Sequence, residues 1–114
     1  MLIQRKEMKT ETKEKMRAGE GSAHLTHIVD GEKIPHARLM AEITLQPGCS
    51  IGDHPHNNET EYFIILRGTG AINDNGVLKS VHPGDVVITG GGATHSIANT
   101  GDEDLVFHAI IILD

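Results

Sequence analysis

Gly48-CSIGD-His54-P-His56-NNET-Glu61-YFIILR-Gly68 is the stretch on which the reading of this chain turns. Two β-prone segments, 51–56 and 61–67, flank the polar turn 57–60, and glycines close both ends. Side chains alternate along a strand with period two, so His54 and His56 share a face. Glu61 follows His56 by five residues, across the turn, and can return on the neighbouring strand to face the same point. The His-x-His pair alone decides little. With eight histidines in 114 residues, roughly half of one such pair is expected by chance.

Working outward, candidate strands cover 24–29, 37–46, 69–73, 77–81, 86–88, 94–99 and 105–113 in addition to 51–56 and 61–67. Turn signals separate them: Asp30-Gly31, Pro47-Gly48, Gly68, Asp74-Asn75-Gly76, Pro83-Gly84 and Gly101-Asp102. Asn73 to Gly76 suits a hairpin, because Asn, Asp and Gly tolerate the positive φ that hairpin turns require. Many short strands and no convincing amphipathic helix indicate an all-β sandwich or barrel. Residues 7–17 have some helical propensity, which Thr10 and Thr12 weaken. The strands 61–66 and 107–113 are apolar on both faces, with Phe63 and Ile65 on one and Tyr62, Ile64 and Leu66 on the other. A half-exposed strand would show polar residues on its outer side. A second sheet or a second subunit is therefore expected to cover them, and a homodimer is the expected assembly.

A length of 114 residues sets one domain, read as an N-terminal arm over 1–22 and a β domain over 23–114. Residues 1–17 carry six basic and three acidic side chains, whereas the rest carries four and thirteen. An acidic body with net charge −6 overall argues against nucleic-acid binding. The interleaved glutamates of the arm favour a solvated segment docked on an acidic body or subunit. The longest apolar runs, Tyr62–Leu66 and Ala109–Leu113, are too short to span a membrane. The N-terminus has no signal-peptide core, and the single cysteine, Cys49, asks for no oxidising compartment. These features point to the cytoplasm.

A third imidazole, His95, sits on a later strand behind Gly90-Gly91-Gly92. Three imidazoles and a carboxylate converging inside a barrel would make a nitrogen–oxygen site for a divalent transition metal. The quoted stretch resembles the first motif of the cupins, G(X)5HXH(X)3–4E(X)6G, at every spacing. Gly84-DVVIT-Gly90-G-Gly92-AT-His95-SIA-Asn99 is similar to their second motif, with Gly90 where the family usually has proline. Glycine there leaves φ free where proline would fix it, and removes no ligand. The resemblance implies a jelly-roll (double-stranded β-helix) barrel open at one end. It also implies a metal (Mn, Fe, Ni, Zn or Cu) held by His54, His56, Glu61 and His95. Such a set leaves a divalent ion at net +1, with two exchangeable positions in an octahedral shell.

Other residues compete for roles. Glu59 is close enough to replace Glu61 but breaks the family spacing. His108 has Ile110 and Ile112 as parity mates and is expected to face away from the metal. His24, His27, His36 and His82 fall near strand ends and turns, as ordinary surface or packed residues. Cys49 has no basic partner nearby to make a thiolate. Arg38 and Tyr62 have outward parity. The expected pocket is therefore apolar, lined by Phe63, Ile65, Ile97, Phe107 and Ala109, without the inward acid, base and cationic groups of a sugar-nucleotide epimerase. The expected function is metal-dependent chemistry, oxidative or lyase-type, on a small oxygenated molecule. The competing class is a small-molecule-binding or sensor module with a structural or absent metal.

Overall fold

A computed structural model describes residues 1–114. Ten strands account for the architecture: β1 (Lys9–Glu14), β2 (Ser22–His27), β3 (Ala37–Leu45), β4 (Ser50–Pro55), β5 (Glu59–Arg67), β6 (Gly70–Asp74), β7 (Val77–Val81), β8 (Val86–Gly90), β9 (Thr94–Asn99) and β10 (Leu105–Leu113). All nine strands expected from the sequence are present. The tenth, β1, lies in a stretch with some helical propensity. It pairs antiparallel with β2, from Lys9↔His27 to Glu14↔Ser22, because β-branched Thr10 and Thr12 suit a strand edge. The only helices are three-residue 3₁₀ turns, and none is long and apolar enough to cross a membrane.

The strands form two antiparallel sheets, a six-stranded one ordered β1-β2-β3-β10-β5-β8 and a four-stranded one ordered β4-β9-β6-β7. They face each other as a jelly roll. Alternation then sorts each strand. On β5 the residues Glu59, Glu61, Phe63 and Ile65 are buried, and on β10 Leu105, Phe107, Ala109 and Ile111. Thirteen apolar side chains, centred on Phe63, Phe107, Ile43 and Leu45, close the middle of the sandwich. The opposite faces of β5 and β10 stay at least partly open to solvent within one chain, with Leu66 and Ile112 exposed.

One irregularity places the site. Ile51 and His54 are both buried, although residues three apart on a regular strand face opposite ways. The pairing of β4 with β9 shifts between Ile51↔Ile97 and His54↔His95, so an extra residue bulges at Gly52–Asp53. The bulge turns His54 and His56 inward below Ile51. Gly52 is required there, because a Cβ would stand 1.9 Å from the Arg17 carbonyl oxygen.

Candidate metal centre

Four side chains from three strands and both sheets meet at one end of the sandwich. β4 brings His54, His56 follows just past its end, β9 brings His95, and β5 brings Glu61 across the gap between sheets. All four are buried, and their ligand atoms lie within 4.8 Å of one another. His56 Nε2 and His95 Nε2 are 3.0 Å apart, and His95 Nε2 and His54 Nε2 are 3.1 Å apart. Glu61 Oε1 lies 2.9 Å from His56 Nε2, 2.9 Å from His95 Nε2 and 4.0 Å from His54 Nε2.

The second nitrogen of each ring decides what the first presents. His54 Nδ1 donates to the Gly52 carbonyl at 2.7 Å, and His56 Nδ1 donates to Glu59 Oε2 at 2.5 Å. Neither partner can donate, so both rings carry their proton on Nδ1 and, when neutral, present a bare Nε2. His95 Nδ1 lies 2.8 Å from Thr89 Oγ1, which can accept in the same way. Bare nitrogens and a carboxylate oxygen at such short separations repel unless a positive charge sits among them, either a proton or a cation. An octahedral ion with bonds of about 2.1 Å sets neighbouring donors ~3.0 Å apart and opposite donors ~4.2 Å apart. Five of the six donor separations, from 2.9 to 4.0 Å, fall within that range, and the four donor atoms all lie within 4.8 Å of one another.

Phe63 stacks flat on the His95 ring at 4.6 Å and packs edge-on against Phe107. The His95 ring is thus braced by an apolar contact on its face and a hydrogen bond at Nδ1. Glu61 remains an anion. Burial pushes its carboxyl up, but hydrogen bonds from His54 and His95 and charge on His95 and His56, present when those rings are protonated, outweigh this and hold it below the usual range. Glu59 does not join the donor cluster. It grips the outer nitrogen of His56 and takes both Nε and Nη2 of Arg38 at 2.7 Å, which lowers its pKa to about 2.

The centre opens into a cavity of about 580 Å³. Phe63 lines it, together with Leu25, Ile43, Ile51 and Ile111. Ile65, Ile97, Phe107 and Ala109, expected in the pocket, do not line this cavity and lie in the same buried core cluster as Leu25, Ile43, Ile51 and Phe63, because inward parity serves the sandwich centre as well as its open end. The mouth is charged rather than apolar. Glu11, Lys13, Lys15 and Arg17 come from the basic N-terminal segment, and Arg38 reaches the rim from an outward position on β3 because its side chain is long. Parity missed Arg38; a carboxylate free to pair at Glu59 was the signal available in the sequence.

The remaining histidines lie elsewhere. His108 sits on the outer face, 3.4 Å from Glu42, which also binds Arg5 at 2.8 Å. The N-terminal segment therefore docks on this chain's own acidic body. His24 meets Thr12, His27 meets Glu11, and His82 is an exposed neighbour of Asp85. His36 adopts a left-handed turn, and Cys49 is half-buried against the core.

The fold is a jelly-roll sandwich that carries, at one end, an inward His-His-Glu-His cluster compatible with a metal. The chain belongs to the cupin family: a model described as the cupin domain matches residues 41–111. It is 41% identical over 114 residues to the oxalate-binding protein of Thermotoga maritima, covering 99% of this chain and 94% of that one. A crystal structure of a predicted oxalate decarboxylase from Thermotoga maritima superposes with a TM-score of 0.92 at 40% identity, over all of both chains. A sugar phosphate isomerase from Silicibacter pomeroyi shares the fold alone, with a TM-score of 0.79 at 13% identity over 100% of this chain and 76% of that one.

Proposed function

We propose that this chain holds a divalent transition metal through His54, His56, Glu61 and His95, and binds oxalate or a similar small acid with adjacent oxygens there. The observation that carries the reading is the donor set: four buried ligand atoms within 4.8 Å of one another, with the Nδ1 atoms of His54 and His56 already committed to acceptors. When bound, the ion supplies Lewis acidity and open positions for ligand oxygens. The protein's part is to hold three neutral imidazoles in place, offset charge with Glu61, and exclude bulk water with Leu25, Ile43, Ile51 and Phe63. Oxalate is the first choice because the Thermotoga maritima relative that matches nearly end to end is an oxalate-binding protein.

Turnover is the second reading, motivated by the predicted oxalate decarboxylase of the same organism. Breaking the carbon–carbon bond of oxalate leaves an electron pair that needs a proton from a nearby acid. Three carboxylates near the centre are already engaged: Glu59 with Arg38 and His56, Glu11 with His27, and Glu14 with Ser22. That favours binding over decarboxylation. Metal analysis followed by calorimetric titration of oxalate into metal-loaded and chelator-stripped protein tests the reading. Binding should require the metal. A metal-loaded protein indifferent to oxalate would remove the proposal, and carbon dioxide release or oxygen uptake would move it to an enzyme.

A further inference from the structure

Beyond the four ligand residues, one chain of contacts runs from the metal centre to the surface. Arg38, on β3, presents the Nε–Nη2 edge of its guanidinium to Glu59 on β5, with both bonds at 2.7 Å. Glu59 Oε2 then accepts from His56 Nδ1, and His56 Nε2 lies in the donor cluster. The Arg38 side chain is 47% exposed and the Glu59 side chain 11%, while His56 is 2% exposed, so the chain passes from solvent to the interior in three residues. We propose that Arg38 is a positioning residue for the metal centre, acting through Glu59 to fix the tautomer and ring plane of His56. The inference rests on the metal-binding reading above and adds to it residues outside the ligand set.

The physical reason lies in the bidentate pair. A free glutamate beside an open cavity samples several rotamers, and only one presents Oε2 to His56 Nδ1. The planar guanidinium donates to both carboxylate oxygens in one geometry, so it selects that rotamer. Glu59 in turn keeps the His56 proton on Nδ1 and adds negative charge behind the ring, making Nε2 a stronger donor. His54 needs no such device, because its acceptor is the Gly52 backbone carbonyl. Thr89 serves His95 from a fully buried position. Of the three rings, only His56 has its acceptor set by a group that reaches solvent.

Because Arg38 acts only through Glu59, its effect should vanish when Glu59 can no longer pair with it. The test is a double-mutant cycle on metal affinity, using cobalt(II) in competition with a chromophoric chelator. Arg38→Ala and Glu59→Gln should each weaken cobalt binding about ten-fold, as loss of an outer hydrogen-bond partner does. The double variant should be no weaker than Glu59→Gln alone. Arg38→Lys, which keeps the charge but not the fork, should fall between wild type and Arg38→Ala. The cobalt absorption bands should shift alike in Arg38→Ala and Glu59→Gln, a signature that mere loss of a surface ion pair does not produce. Lys79→Ala, which breaks the remote Lys79–Asp74 pair, should leave affinity and spectrum unchanged. Losses that multiply to about a hundred-fold in the double variant, or an Arg38→Ala protein with wild-type affinity and spectrum, overturn the relay while leaving the metal centre standing. Wild-type protein that takes up no cobalt overturns the metal reading and the relay together.

Discussion

Each ligand residue has a separate reason to be where it is, and substitutions should separate those reasons. His95→Ala removes a nitrogen that lies within 3.1 Å of each of the other three donors and should empty most of the metal while the sandwich stays folded. His108→Ala should change metal content little, since that ring sits on the outer face beside Glu42. Glu61→Gln keeps the shape but loses the offsetting charge, so binding should weaken rather than disappear. Metal content by elemental analysis after gel filtration reads all three. The reverse pattern, with His108 essential and His95 dispensable, would overturn the assignment. Protons compete with a metal for the imidazole nitrogens, so affinity should fall as the pH is lowered. Glu59 makes a different pH prediction. Its pKa is lowered from 4.5 to about 2 by Arg38 first and by His56 against an opposing burial effect. A carboxylate depressed in the folded state stabilises above its unfolded pKa, and that stability is lost as pH falls from about 4.5 toward 2. The urea midpoint of metal-free protein should therefore drop through that window, and Arg38→Ala should flatten the drop.

At the scale of elements, the bulge in β4 is the feature on which the centre depends. Without the extra residue at Gly52–Asp53, either Ile51 or the two histidines would face solvent. Gly52 also lets the 3₁₀ turn Met16–Ala18 lie directly on the strand, with the Arg17 carbonyl in the space a Cβ would take. Gly52→Ala should cost roughly 1–3 kcal/mol by overpacking against backbone. It should also lower metal affinity, because the Gly52 carbonyl holds His54. Urea denaturation and chelator competition measure the two effects, and an alanine variant unchanged in both would show that the turn moves aside freely. The turn carries its own strain, since Lys15, Arg17 and Ala18 all have positive φ without being glycine. Such backbone persists where surrounding contacts over-determine it, and here those contacts are with the strand that bears His54.

Across the whole molecule, the outer face of the six-stranded sheet is the unbalanced surface. The registers align Ile88, Tyr62, Ile110 and Met40 side by side over β8, β5, β10 and β3, with Val86 and Ile64 in a neighbouring row. Ile88 is 61% exposed and Val86 54%. We propose that a second copy covers this face in a twofold dimer, since a contiguous apolar row is costly to leave in water. Light scattering at micromolar concentration should give about twice the chain mass. A value near 12.3 kDa would sink the idea, and an Ile88→Glu substitution should shift the dimer toward it.

Nine strands, their turns and the four residues of the donor cluster were legible in the sequence because they depend on local rules. Period-two alternation paired His54 with His56, glycine and asparagine marked the turns, and motif spacing singled out Glu61 over Glu59 and added His95. The same rules placed His108 outside. Three matters lay beyond them. Alternation says which side a residue faces but not how far along the sandwich it lies, so Ile65, Ile97, Phe107 and Ala109 were expected at the pocket and belong to the core. Propensity left 9–14 undecided until pairing with β2 supplied the hydrogen bonds of a strand. Parity also describes where a side chain starts, not where a long one ends. Arg38 begins on the outer face and finishes on Glu59, a partner 21 residues away that only the tertiary fold brings within reach.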